Sequence, residues 1–300
     1  MRVTNKMMQN NFITTLHRQS AAMVDLQKQI SSQKQINKPS DDPIGMGRVL
    51  EYRTTIERIE QFEDNIAQGK TRIEFNELTL DMVEDLISNV IGVAQENAAE
   101  GISAEQRQLA ANEIKEYYDQ IMQMANTKFD GRYIFSGHQT DTAPFSRQAD
   151  YTPDLYHGDT GTYRTVIGEN VEVSIDADGQ NYFQSGVDIF AQLKSLIDGL
   201  ENPDLQAGSA AIDATLDPLF AGRQQINDKR TEQGTKIYRM EVTEDHWNHF
   251  KSKIEEAKAD TEGADITEAI MQLKSLEIAY ESTMATAARI IQPSLVNFLK

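Results

Sequence analysis

Phe12, Leu16, Gln19, Met23, Leu26 and Ile30 recur at intervals of 4, 3, 4, 3 and 4 residues. That rhythm predicts a helix burying a narrow stripe against partner helices, with one polar position in the seam. A second series, Tyr52, Ile56, Ile59, Ile66, Ile73, Leu80, Val83, Ile87, Val90 and Ala94, keeps the same beat, with weak positions expected at 63, 70 and 77. At 1.5 Å per residue, a helix over 44–99 would be a rod of roughly 80 Å. Gly101 ends it, and Ser103-x-x-Gln106 has the form of a capping box opening another helix to about Lys128.

Between the first two series lies "NKPSDDPIGMGRVL", residues 37–50. Pro39 and Pro43 disfavour helix at Lys38 and Asp42, and Ser40 or Asp41 can cap the helix that follows. Asp41 and Asp42 read as capping acids beside a positive helix start, in preference to an ion-binding pair.

Residues 131–186 break the helical rhythm. They hold 7 of the 17 glycines, and "TYRTVI" and "VEVSI" alternate on either side of Gly168-Glu169-Asn170, a short hairpin. The segment is assigned as a β-rich insert. Helical pattern resumes in "VDIFAQLKSLIDGL", stops at Asn202-Pro203, and runs again from about Ile212 to Ala259. After Gly263, Asp265 and Glu268 form another cap pattern. Ile266, Ala269, Leu273, Leu276, Tyr280, Met284, Ala287 and Ile291 supply a last seam with one 4–4 step, and Pro293 is expected to end the regular pattern before "SLVNFLK".

The layout is nearly mirrored: seam, break, long helices, β insert, long helices, break, seam. It predicts a mainly α fold with a long antiparallel helical rod or coiled coil formed by both chain ends and a small β domain at its outer tip. Three parts are expected: 1–40 with 266–300, 41–130 with 187–265, and 131–186. Residues 8–36 and 266–298 each carry a stripe of large apolar side chains, each worth about 1.5–3 kcal/mol when fully buried. Two helices paired with each other leave much of that surface wet. The prediction is self-association, against the simpler alternative of ends folded back as an ordinary bundle.

Charge narrows the field. The formal net charge of −18 argues against nucleic-acid binding. It is unevenly placed, since residues 1–40 hold six basic residues against Asp25 alone. A basic, Ser/Gln-rich start has the composition of an organelle transit peptide, but its apolar spacing is too regular for a discarded segment. No run is long and apolar enough to predict a membrane span. The absence of cysteine excludes disulfides and thiolate chemistry.

Candidate chemistry is sparse. His246-Trp247-Asn248-His249 lacks the ligand set of a metal motif and reads as a solvated or partner-facing helix surface. Asp176-x-Asp178-Gly179 has its glycine too early for a calcium loop and reads as a β-turn. No phosphate loop, nucleophile elbow or dinucleotide fingerprint is present, so no catalytic residue, metal or cofactor is assigned.

"MRVTNKMMQNNFITTLHR", "ISSQKQINKPSDDPIG", "GRYIFSGHQTDTAPF" and "GADITEAIMQLKSLEIAYESTMATAARIIQPSLVNFLK" together resemble the flagellin superfamily, in order along the whole chain. The Tyr-x-Phe-Ser-Gly…Pro-Phe phrase and the short insert resemble its hook–filament junction proteins more than its filament flagellins. The closing "NFLK" departs from the leucine-rich end of many flagellins. The resemblance implies a structural subunit that joins copies of itself in a helical tube, with the terminal helices innermost. It implies as partners an adjoining hook-associated junction protein, flagellin, and a cytoplasmic export chaperone at the C-terminal region. It also implies export to the extracellular flagellum without a cleaved signal. The assembly interface would comprise Phe12, Leu16, Met23, Leu26, Ile30, Leu273, Leu276, Tyr280, Met284, Ile291, Leu295 and Phe298. Pro39, Ser40, Asp41, Asp42 and Pro43 would form the hinge and cap between an inner helix and a rod helix. Minor filament flagellin, or a secreted helical adaptor or effector, are the alternatives.

Overall fold

The computed structural model describes residues 2–99, 101–175 and 178–296 of the chain. Among the described residues seven helices and four short strands follow one another: α1 (Arg2–Ser32), α2 (Pro43–Asn97), α3 (Ala104–Ala125), β1 (Lys128–Phe129), β2 (Arg132–Tyr133), β3 (Arg164–Gly168), β4 (Val171–Ser174), α4 (Gly179–Phe183), α5 (Ile189–Leu200), α6 (Leu205–Glu262) and α7 (Ile266–Val296). They form two compact units. One joins residues up to Arg58 to those from His249 onward, and the other is Ile59–Asn248. The mainly helical prediction holds.

In the second unit, α2 and α6 run antiparallel. Lys70 Nζ meets Glu241 at 2.9 Å, and Arg230 reaches Glu77, Asp81 and Glu84 at 2.6–2.7 Å. The buried stripe of α2 is an unbroken 3/4 series: Ile59, Phe62, Ile66, Gly69, Ile73, Asn76, Leu80, Val83, Ile87, Val90 and Ala94. The seam therefore passes through 62, 69 and 76, one residue before the weak positions the sequence reading assigned. Lys70 and Glu77 flank the seam instead, where they make the interhelical ion pairs that such flanking positions favour. α6 starts earlier than Ile212, because Asp204 Oδ1 accepts the amides of Gln206 and Ala207 at 3.0 and 3.2 Å and caps it.

The C-terminal half of α2, together with α3, α5 and the start of α6, encloses the main core, completed from the insert by Phe135, Phe145, Tyr182 and Phe183. Phe145 is the hub, with ring centroids 5.2–5.3 Å from Tyr156, Phe183 and Phe190. The fully buried Arg107 ties α3 to the start of α6, donating to the Leu205 carbonyl at 2.9 Å and to Ser209 Oγ at 2.5 Å.

The insert carries less strand than its composition suggested. Two two-stranded antiparallel sheets, β1–β2 and β3–β4, make up its ladders. Elsewhere the backbone is satisfied by side chains. Asn126 exchanges two bonds with the Phe145 main chain at 2.9 and 3.1 Å, Tyr156 Oη donates to the Phe135 carbonyl at 2.8 Å, and Asp159 Oδ1 accepts the amides of His138 and Gly161. Gly137 needs its left-handed φ of 66° here, and a side chain on it would collide with Asp159.

β3 and β4 form the expected hairpin. Asn170 is left-handed (φ 59°) in the turn, and the register shifts between Val166 and Gly168. The hairpin docks on the flank of α2 and α6, not beyond their ends. Trp247 Nε1 donates to the Ile167 carbonyl at 2.7 Å, Asn65 Nδ2 to Val166 at 2.8 Å, and Asn76 Nδ2 to Ile175 at 3.2 Å. Ile66, Ile73, Ile167, Val173 and Met240 fill the space between. Gly69 allows this approach, since a Cβ there would meet Met240, Ile175 and Thr165 at 3.0–3.2 Å. Trp247 is thus half-buried against the hairpin, while His246, Asn248 and His249 are exposed, as expected of a solvated helix surface.

Asp178 also departs from expectation. It caps α4, accepting the Asn181 amide at 2.7 Å, where the sequence suggested a β-turn; Asp176 lies outside the described residues.

Candidate functional site

The first break begins where Gln33 turns left-handed (φ 58°) after α1. A tight turn closes it, with the Asp41 amide donating to the Lys38 carbonyl at 2.9 Å; Pro39 and Ser40 are exposed at its apex. Asp41 Oδ2 points back, accepting the amides of Asn37 and Lys38 at 3.1 and 3.0 Å. Burial pushes the Asp41 carboxyl up, but those two N–H groups and the Lys38 charge outweigh it, and it titrates below the usual aspartate range. Asp42 is the cap of α2, accepting the Ile44 amide at 3.0 Å. Pro43 fills the first helical position, which places the capping acid immediately before it. Of the candidates read from sequence, Asp42 is the cap, and Ser40 and Asp41 stand too early.

The second break is bonded to the first. Lys34 and Gly263 form an antiparallel bridge, Gln35 N–H donates to the Glu262 carbonyl at 2.7 Å, and Ala264 N–H donates to the Gln33 carbonyl at 3.1 Å. The Glu262 carboxylate, 6% exposed, accepts from Lys34 Nζ at 2.8 Å and Arg53 Nη2 at 3.0 Å. Burial pushes this carboxyl up, and the two cations outweigh it, leaving it below the ordinary glutamate value. Asp265 then caps α7 as predicted, accepting the Glu268 amide at 3.0 Å.

Beyond the breaks α1 and α7 pair with each other, antiparallel, with Gln19 Nε2 on Thr283 Oγ1 at 3.4 Å and Lys34 on Gly263. Phe12, Leu16, Met23 and Ile30 of α1 and Leu273, Leu276 and Tyr280 of α7 are half-buried, and Leu26 is buried. Met284 does not share this face. It is 50% exposed, and half-buried Thr283 takes its place between Tyr280 and buried Ala287, which removes the 4–4 step. α7 continues past Pro293 to Val296, where the sequence predicted a stop. Proline removes a single helical donor, which does not by itself end a helix whose other amides remain paired. The side chains of Ile291 and Leu295, and the whole of Phe298, lie outside the described residues.

A second set of apolar residues went unnoticed in the periodicity because none falls on the seam: Ile13 and Val24 directly follow seam residues, whereas Met271 and Ile278 stand midway between seam residues and so on the far side of α7. Ile13 (53% exposed), Val24 (60%), Met271 (62%) and Ile278 (63%) face away from the α1–α7 contact, as Met7 and Ile270 do. The signal was available in the sequence: apolar residues off the seam give each helix more apolar surface than one partner helix can cover.

Among the described residues no group of three or more His, Asp or Glu side chains is placed to hold a metal. No described helix is long and apolar enough to cross a membrane.

Comparison with known proteins bears on this geometry. Residues 3–140 match the bacterial flagellin N-terminal helical region. Flagellar hook-associated protein 3 of Escherichia coli (strain K12) is 25% identical over 94% of this chain and 96% of its own length. The Salmonella typhimurium protein of the same name is 26% identical over 79% of this chain and 80% of its own. In fold, the crystal structure of the flagellar junction protein FlgL from Legionella pneumophila superposes with a TM-score of 0.61 at 14% identity, covering 73% of this chain and all of that one. The match over residues 3–140, and relatives aligned over 79–94% of the chain, agree with the paired end helices: the chain is similar to bacterial flagellins and to flagellar hook-associated proteins 3.

Proposed function

We propose that this protein is a hook-associated protein 3, a junction subunit that joins hook to filament and assembles through α1 and α7. The observation that carries the reading is the half-covered apolar surface of that helix pair. Its large seam residues other than Leu26 are only half-buried against each other, and a second apolar set off the seam is open to solvent. Covering those side chains requires further helices, which neighbouring copies supply. Phe12, Leu16, Met23, Leu26, Ile30, Leu273, Leu276, Tyr280, Met284, Ile291, Leu295 and Phe298 form the interface, and Ile13, Val24, Met271 and Ile278 extend it. In this reading 1–40 with 266–300 is the inner-tube part, 41–130 with 187–265 the rod, and 131–186 the outer part. The hinge is 39–43. An adjoining hook-associated junction protein, flagellin and a cytoplasmic export chaperone are the partners, and the chain leaves the cell unfolded through the flagellar export apparatus without signal cleavage.

Deletion of residues 1–35 or 270–300 tests it. Each truncated chain is expected to vanish from the hook–filament boundary in immuno-electron microscopy and to abolish motility. Emission from Trp247, the chain's one tryptophan, should show the Ile59–Asn248 unit still folded. A truncated chain that still takes its place at that boundary would refute the reading. Indefinite polymerisation of the purified protein would mark a filament flagellin instead.

A further inference from the structure

The two breaks lie more than two hundred residues apart in sequence, yet each uses the other as its hydrogen-bond partner. Glu262, the last residue of α6, accepts one of the two cross-break bonds at its carbonyl. Its carboxylate takes one cation from the first break, Lys34, and one from the early turns of α2, Arg53. One enclosed side chain, just before the entry to α7, therefore touches the exit of α1 and the early turns of α2. A carboxylate this shielded from water is stable only while its cations remain in place.

We propose that Glu262 is a positioning residue, a latch that makes the two breaks a single hinge, so that α1 and α7 hold or lose their anchorage together. The alternative is two independent turns, each held by its own acid: Asp41 in the first, Asp265 in the second. The latch concerns the isolated chain and does not depend on the junction reading.

The two pictures differ at two amides, Gln35 and Ala264, the donors of the cross-break bonds. Hydrogen exchange of the full-length protein should find both protected. Glu262→Gln should speed both by the same factor, roughly tenfold. Arg53→Gln should also speed both, although Arg53 belongs to neither break. Glu262→Lys should open both further, and inverting the whole triad, Lys34→Glu/Arg53→Glu/Glu262→Lys, should restore protection. Faster exchange at one amide only would overturn the latch. So would two unprotected amides in the wild-type chain, or an inverted triad that stays open while Trp247 emission shows Ile59–Asn248 folded. If Glu262→Lys fails to fold, the paired response to Glu262→Gln and Arg53→Gln decides the question.

Discussion

Asp42 accepts the amide of Ile44, while its neighbour Asp41 accepts two amides behind it. Two adjacent carboxylates thus serve opposite sides of one break. Asp42→Ala should cost about 1 kcal/mol, the usual loss for an N-cap, read as a lower midpoint in urea. Gly45 is the tightest point nearby, since a Cβ would collide with both Asp42 and buried Ile36. Gly45→Val should therefore exceed the Asp42→Ala effect. Glu262 adds a pH dependence whose sign follows from its lowered carboxyl. Its contribution is fully present above the unfolded glutamate value of about 4.5. It is lost as pH falls through the lower folded value, because protonation removes the charge that Lys34 and Arg53 hold. Acid titration of wild type against Glu262→Gln should show the stability gap closing below about pH 4.5. Caps at Ser103 and Asp265 were legible because the whole motif is local; Ser103 and Gln106 form the full reciprocal box. Asp42 was read as a capping acid together with Asp41, and proline at the first helical position decides that Asp42 is the one that caps.

At the scale of elements, the long helices were readable from spacing alone. The phase of α2 between Ile59 and Leu80 was not, because Gly69 and Asn76 break the apolar alphabet where the hairpin docks. Those substitutions serve a neighbour far away in sequence, and no local pattern announces it. The strand-poor character of the insert was hidden for a related reason. Its backbone partners are Asn126, Tyr156 and Asp159, chosen by contact and not by alternation. The hairpin hangs on three side-chain donors, so Asn65→Ala combined with Trp247→Phe should remove two bonds worth about 1 kcal/mol each. Amides of residues 164–174 should then exchange faster, with those of α3 and α5 unchanged. In the core, Phe145→Ala should lower stability by about 3–5 kcal/mol, the range for deleting a buried phenylalanine, measured by denaturant unfolding.

Across the molecule, the connectivity that brings both chain ends together was legible from the mirrored order of seams and breaks. The mutual bonding of the breaks was not, since main-chain pairing between Gln35 and Glu262 leaves no mark on side-chain identity. The exposed companions of the seam yield a prediction at this scale. Ile13→Glu and Ile278→Glu alter side chains already facing solvent, so folding of the isolated chain should be unchanged while incorporation at the hook–filament boundary is lost, seen by electron microscopy and swimming assays.

Pairing of residues 33–35 with 262–264 also restricts how such a chain can vary in length. One residue inserted between Ser32 and Ile36 would slide Lys34 off Gly263 and swing the side chains beyond it to the opposite face. A compensating insertion would have to arise at the remote site in the same lineage. Natural variants should therefore keep both connectors at constant length, and gaps or extra residues should gather at exposed Gly101, between α2 and α3, rather than in 33–35 or 262–264.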